Sequence, residues 1–334
     1  MAMKTEFPPP AERVSVALPE GTQAGSGWRW HRPGLTAFLI GTASWAVATT
    51  VTAATRDDIL VPTVIVAGSF ATPLAIVVAH LRRADDEVGT RPSPAVVLEA
   101  FLGAGIFGLM LAALLESYLM PTRTGTFIVV ALIEETSKVL VIVLSARHLR
   151  SREPLDGMVL GAIVGAGFAA FESAGYAFNA YVTTGTRGPF VSMVQSEIDR
   201  ALIAPFGHII WSSIIGGVLF GAAAGRPRFR LTAAVLGTFV GVVLLHGSWD
   251  QADEWAIVLI RGFTGGGWHP WPDAVAWTTQ PTSNRMELFT VLYDGLLLLI
   301  GLAGTLWFVR RWRRYSRTER MLRRRTFRSP RAAT

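Results

Sequence analysis

Cysteine is absent from all 334 residues, which excludes disulfides, thiolate nucleophiles and sulfur-rich metal sites. Charge is scarce too. Asp, Glu, Lys and Arg make up 16% of the chain, where a soluble domain carries about 25%. Lysine is nearly missing, since Lys4 and Lys138 are the only two among 31 basic residues. The first 33 residues are polar and rich in Pro and Gly. They lack the apolar core and small-residue cleavage site of a signal peptide, and read as a disordered cytoplasmic tail. What abounds instead is apolar, with 51% of residues hydrophobic.

That apolar content is gathered into runs. A bilayer crossing takes about 20 residues, and eight runs reach that length, near 34–54, 59–81, 95–115, 125–146, 158–181, 203–224, 231–249 and 287–309. The expected fold is all-α, a polytopic membrane bundle of about eight transmembrane helices. Accessory spans occupy 34–115, a four-helix catalytic core 125–250, an external interfacial loop 251–286 and the last span 287–309. A basic cytoplasmic tail, 310–334, completes the chain. Pro62 and Pro73 in the second run have to be accommodated by neighbouring helices. Gly157, Gly161 and Gly165, and likewise Gly217, Gly221 and Gly225, recur every four residues, a spacing that lets backbones approach closely.

Basic residues set the orientation. With these spans, 24 fall on the side of both termini and six on the other, Arg200 among the six. Basic loops stay in the cytoplasm, so both termini are expected there, in a multi-pass protein of the cell membrane. The C-terminal tail directly follows a span, which favours contact with anionic lipid headgroups over nucleic acid. Trp255, Trp268, Trp271 and Trp277 in the external loop suit an interfacial anchor.

Against this apolar background a few ionisable groups stand out. Glu134, Glu135 and Lys138 lie near the centre of the fourth span, and later spans carry Glu172, His208 and His246. Such groups cost several kcal/mol at membrane depth and mark functional sites. Counted along each helix at about 1.5 Å per residue, Glu134, Glu172, His208 and His246 all fall in the outer half of the membrane, which points to one site opening outward. Lys138 follows Glu134 by four and Glu135 by three, so it reaches both. Phe168 and Glu172, His208 and Ser212, and His246 and Asp250 each share a helical face. Asp294 in the last span is a supporting candidate, and Glu99 reads as interfacial.

These residues carry a resemblance. EETSK at 134–138, FAAFE at 168–172, HIIWS at 208–212 and HGSWD at 246–250 follow in order on four consecutive spans. The set resembles the PrsW family of intramembrane proteases, relatives of the CAAX-prenyl-protease superfamily. The CAAX branch carries EExxxR and FxxxH, whereas here two residues separate Glu135 from Lys138 and Glu172 stands in place of His. The resemblance implies cleavage of a membrane-anchored protein substrate, such as an anti-sigma factor, on the extracytoplasmic side. Peptide hydrolysis needs an activated water, oxyanion stabilisation and a proton donor for the leaving amine. A desolvated Glu134 or Glu135 suits the base, with its neighbour paired to Lys138, while His208 and His246 orient water or polarise the carbonyl. Glu172, His208, His246 and Asp250 also suit Zn²⁺, so a metal-free and a zinc scheme both stand. A proton-coupled transporter with a Glu/His relay is the competing class, but no duplicated motif links the two halves.

Overall fold

Inside a bilayer the backbone has no water to bond, so apolar runs of this length satisfy it within helices. A computed structural model describes residues 33–87, 92–120, 126–149, 152–183, 188–226, 228–263 and 283–328. Among these the secondary structure is entirely helical. The α-helices are α1 (Pro33–Thr55), α2 (Val61–Glu87), α3 (Pro94–Leu102), α4 (Leu109–Leu119), α5 (Thr126–Ser145), α6 (Pro154–Val182), α7 (Pro189–Ile203), α8 (His208–Ala223), α9 (Ala233–Asp250), α10 (Ala252–Phe263) and α11 (Ser283–Arg328). A π-helical turn, Gly103–Gly108, joins α3 to α4 into one long element. Seven stretches are long and apolar enough to cross a membrane. Helix α5, 20 residues long, is set apart from them by its three charged residues. Of the expected tail 1–33, residues 1–32 lie outside the described residues, as do Trp268, Trp271 and Trp277, and Pro33 opens α1.

Helix α6 is the hub. It is the most buried of the long helices, and its glycine ladder is why. Gly157, Gly161 and Gly165 lie against the backbone of Gly216, Ser212 and His208 on α8, too close for any side chain. On α8 the partner glycine is Gly216. Gly217 faces Met158 and Tyr315, Gly221 lies near Pro154, and Gly225 turns the chain at φ 68°. Gly167 makes the equivalent approach to Phe101 of α3. Pro62 sits in the first turn of α2, where no N–H partner is needed, and Pro73 lies inside that helix. At the other end of the bundle Glu99 of α3 meets Arg147, just past α5, at 3.7 Å, both side chains well exposed.

Four features depart from the sequence expectation. Residues 189–203, read as an external loop, form α7, whose side chains Met193 and Glu197 are buried. The sixth span does not run on from residue 203. A short 3-10 turn, Ala204–Phe206, and Gly207 break the chain, and α8 begins at His208. Residues 252–263, also read as loop, form α10. The last helix continues without a break from Ser283 to Arg328. Its 46 residues span about 69 Å at 1.5 Å per residue, roughly twice the hydrocarbon thickness. The first part of the basic tail is therefore helix, held to the bundle by the buried Trp312 and Ser316.

Candidate active site

Four helices, α5, α6, α8 and α9, bring their ionisable side chains into one chain of bonds. Lys138 is at its centre and fully buried. Its Nζ lies 3.2 Å from Glu134 Oε2, 2.8 Å from Glu135 Oε1 and 2.7 Å from His208 Nδ1. The ammonium also sits 4.1 Å from the centroid of the Phe168 ring. An ammonium only donates, so His208 Nδ1 accepts and Nε2 bears the ring proton. That Nε2–H donates to Glu172 Oε2 at 2.9 Å. His246 has carboxylates on both sides. Its Nδ1 meets Glu135 Oε1 at 3.0 Å, and its Nε2 lies 3.3 Å from Asp250 Oδ2 and 3.6 Å from Glu134 Oε2. The His208 and His246 rings meet edge-on at 4.9 Å, with Trp211 packed on both.

Every candidate from the motifs enters this network: Glu134, Glu135, Lys138, Glu172, His208, His246 and Asp250. The pairing is more shared than the sequence suggested, because Lys138 engages both glutamates instead of one. Glu135 is fully buried, and its Oε2 has no hydrogen-bond partner. Ser212, one turn from His208, is buried with its hydroxyl also unpartnered. Asp294 is exposed on α11 and takes no part.

The structure adds residues that the motifs did not reveal. Arg200 of α7 pairs with Glu172 Oε2, donates from Nε to Ser173 Oγ at 2.8 Å, and lies 4.3 Å from the Tyr176 ring centroid. In the sequence it was one of six basic residues on the outer side. The signal available was Pro189 at a helix start, followed by apolar Phe190, Met193 and Val194 in phase with Glu197 and Arg200. Glu116 of α4 is the second addition. Its Oε1 is buried without a partner, and it interacts electrostatically with Glu134, Glu172 and Asp250.

A bonded cluster of glutamates, histidines and one lysine at membrane depth suits either proteolysis or proton relay, and family membership decides between them. The model of the PrsW family of intramembrane metalloproteases matches residues 91–266, just over half the chain. The chain belongs to the PrsW family. No curated protein and no solved structure matches it. The matched segment runs from α3 through α10 and holds every member of the cluster. This PrsW-family chain is therefore an integral membrane protease, and the transporter reading falls away.

The family's metal can be tested against these side chains. Ligand atoms of Glu134, His208 and His246 lie within 4.8 Å of one another. Two imidazoles and a carboxylate form a donor set that zinc accepts while keeping an open position. Each imidazole also has its other nitrogen on a carboxylate, His208 on Glu172 and His246 on Glu135, as metal-bound histidines commonly do. Five carboxylates gather here against two permanent cations, Lys138 and Arg200, so the site tolerates further positive charge. The donors fit, with one adjustment. The Lys138 ammonium now holds the His208 Nδ1 lone pair and has to withdraw for that nitrogen to ligate. Glu172 and Asp250, also considered as ligands, stand outside the convergent trio, engaged by Arg200 and His208 and by His246 respectively.

Proposed function

We propose that this protease cuts a single-pass, membrane-anchored protein close to the extracytoplasmic face, with Glu135 as the general base. The observation that carries the reading is the free Oε2 of Glu135, a fully buried carboxylate oxygen with no partner inside the cluster. Oε1 of the same group is held by Lys138 and His246, so Oε2 is fixed in place yet free to receive a proton. Glu134, His208 and His246 would hold a zinc ion, which when bound polarises a water and the scissile carbonyl.

The remaining work falls to the chain itself. Glu135 Oε2 takes a proton as the water oxygen attacks the carbonyl carbon, then delivers that proton to the amine as the C–N bond breaks. Lys138, beside both glutamates, offsets the negative charge that gathers there. Glu172, held by Arg200, fixes the orientation of His208. Burial makes these charges count for more than they would in water. Both termini lie in the cytoplasm and the chain resides in the cell membrane, a reading supported by the 24-to-6 basic asymmetry. An anti-sigma factor is the substrate type that the motif resemblance favours.

The test is cleavage of a membrane-anchored substrate by purified, reconstituted protein. Loss of a general base typically costs about 10²–10⁴-fold in rate, so Glu135→Gln should fall by that factor while the bundle stays folded. Full activity of Glu135→Gln would remove Glu135 from this role. Full activity after exhaustive chelation, with no metal found by elemental analysis, would remove the zinc trio and leave the glutamate–histidine chemistry.

A further inference from the structure

Helix α7 buries a second carboxylate that the catalytic cluster does not use. Glu197 is 3% exposed. Its Oε2 accepts from Trp45 Nε1 at 2.8 Å, while its Oε1 has no partner. A buried, unpaired carboxylate oxygen is costly, so it calls for a ligand. The same residue lines a cavity of about 140 Å³ between α1, α2 and α7. Thr72, 6% exposed, lines it as well, and its hydroxyl is also without a partner. The rest of the lining is largely apolar. Gly68 keeps this wall bare, because a methyl group there would run into the Glu197 carboxylate and the Trp45 ring.

Size and surroundings narrow the occupant. A cavity of about 150 Å³ takes one benzene, so this one takes a single side chain and not a lipid chain. Its rim is formed by Phe38 of α1 and Ile198 and Leu202 of α7, which are 39%, 41% and 68% exposed. A helix resting on that rim would cover apolar surface and insert one residue. The two unpaired atoms ask for a group that both donates and accepts, which is a hydroxyl.

We propose that this cavity is a docking site for one Thr or Ser side chain of a transmembrane helix lying against α1 and α7. The hydroxyl donates to Glu197 Oε1 and accepts from Thr72 Oγ1. Identifying that helix as the membrane anchor of the substrate rests on the protease reading above. The position suits that role, since Glu197 is one turn along α7 from Arg200, which holds Glu172 in the cluster. A seated anchor is thereby registered against the catalytic groups.

The experiment reads binding, not cleavage. Full-length protein in phosphatidylcholine vesicles receives a single acceptor dye at Ile59→Cys, the only thiol in the chain. Donor-labelled Leu/Ala peptides of about 20 residues, long enough to span, carry one central Thr or the isosteric Val. Energy transfer gives their affinities. The Thr peptide should bind about 3- to 20-fold more tightly than the Val peptide, the range set by one interhelical hydrogen bond. Glu197→Met, which removes the acceptor, and Ala201→Phe, which fills the cavity, should each bring the ratio to one. Equal affinities in the wild type, no association of either peptide, or an undiminished ratio in Glu197→Met would overturn the proposal. A Thr preference in a protein that cleaves nothing would support the docking site and remove only its assignment to a substrate.

Discussion

Replacing Lys138 by Met tests the electrostatic centre of the site. The ammonium is fully buried and bonded to Glu134, Glu135 and His208. Removing one partner from a buried ion pair costs about 3–5 kcal/mol, and the loss of a desolvated contact with the Phe168 ring adds up to about 2 kcal/mol. Protonation limits the penalty. The variant can fold with one glutamate neutral, and taking up that proton at pH 7 costs about 3.7 kcal/mol, from an ordinary Glu pKa of about 4.3 and about 1.4 kcal/mol per unit. The folded variant then binds one more proton than its unfolded chain. Its stability consequently falls as pH rises, by about 1.4 kcal/mol per unit above pH 4.3, and recovers as pH is lowered. The wild type keeps Lys138 beside both glutamates, so this added slope is expected of the variant alone. Denaturant titrations in detergent micelles between pH 5 and 8, followed by tryptophan fluorescence, give both slopes. Equal pH slopes for Lys138→Met and wild type would refute the shared pairing of Lys138 with both carboxylates. The same variant should lose proteolysis, since a protonated glutamate is no base.

The other expectations concern residues that hold the site in place. Arg200→Met should lower kcat about 10- to 100-fold, as the loss of an orienting partner does, with KM little changed and with Arg200→Lys partly restoring the rate. An unchanged kcat would make α7 a bystander. Gly161→Ala should destabilise the bundle by about 1–3 kcal/mol through overpacking, because the added methyl meets the Ser212 backbone. Gly175→Ala, which meets nothing within 4 Å, should leave thermal unfolding in detergent unchanged or raise it, and equal effects of the two would contradict the α6–α8 contact. Reporter fusions should place residue 334 in the cytoplasm and the 251–286 segment outside, and an external reporter at 334 would invert the assignment of the cleaved face.

Much of this protein is decided by its sequence. Apolar runs of 20 residues leave the backbone no alternative to helix, so the all-helical membrane bundle follows from hydropathy alone. Charges at membrane depth must be paired or solvated, so Glu134, Glu135, Lys138, Glu172, His208 and His246 were bound to meet one another once they fell on neighbouring spans at a common depth. Helical spacing also fixed the reach of Lys138 to both glutamates and of His246 to Asp250. What the sequence left open is rotational phase. Successive residues on a helix differ by about 100°, and a run apolar all round, such as α8, gives no sign of which way it faces. Only packing shows that Gly216 and not Gly217 meets the α6 backbone, that Lys138 is shared instead of committed to one glutamate, and that Oε2 of Glu135 is the oxygen left free. The helix α7 was hidden for a related reason. Its stretch is too polar to read as a span, and its buried Glu197 and half-buried Arg200 acquire partners only from Trp45, Ser173 and Glu172, residues 27 to 152 positions away along the chain. Such distant pairings are created by the tertiary fold, because the free energy that holds them exists only after the helices have packed.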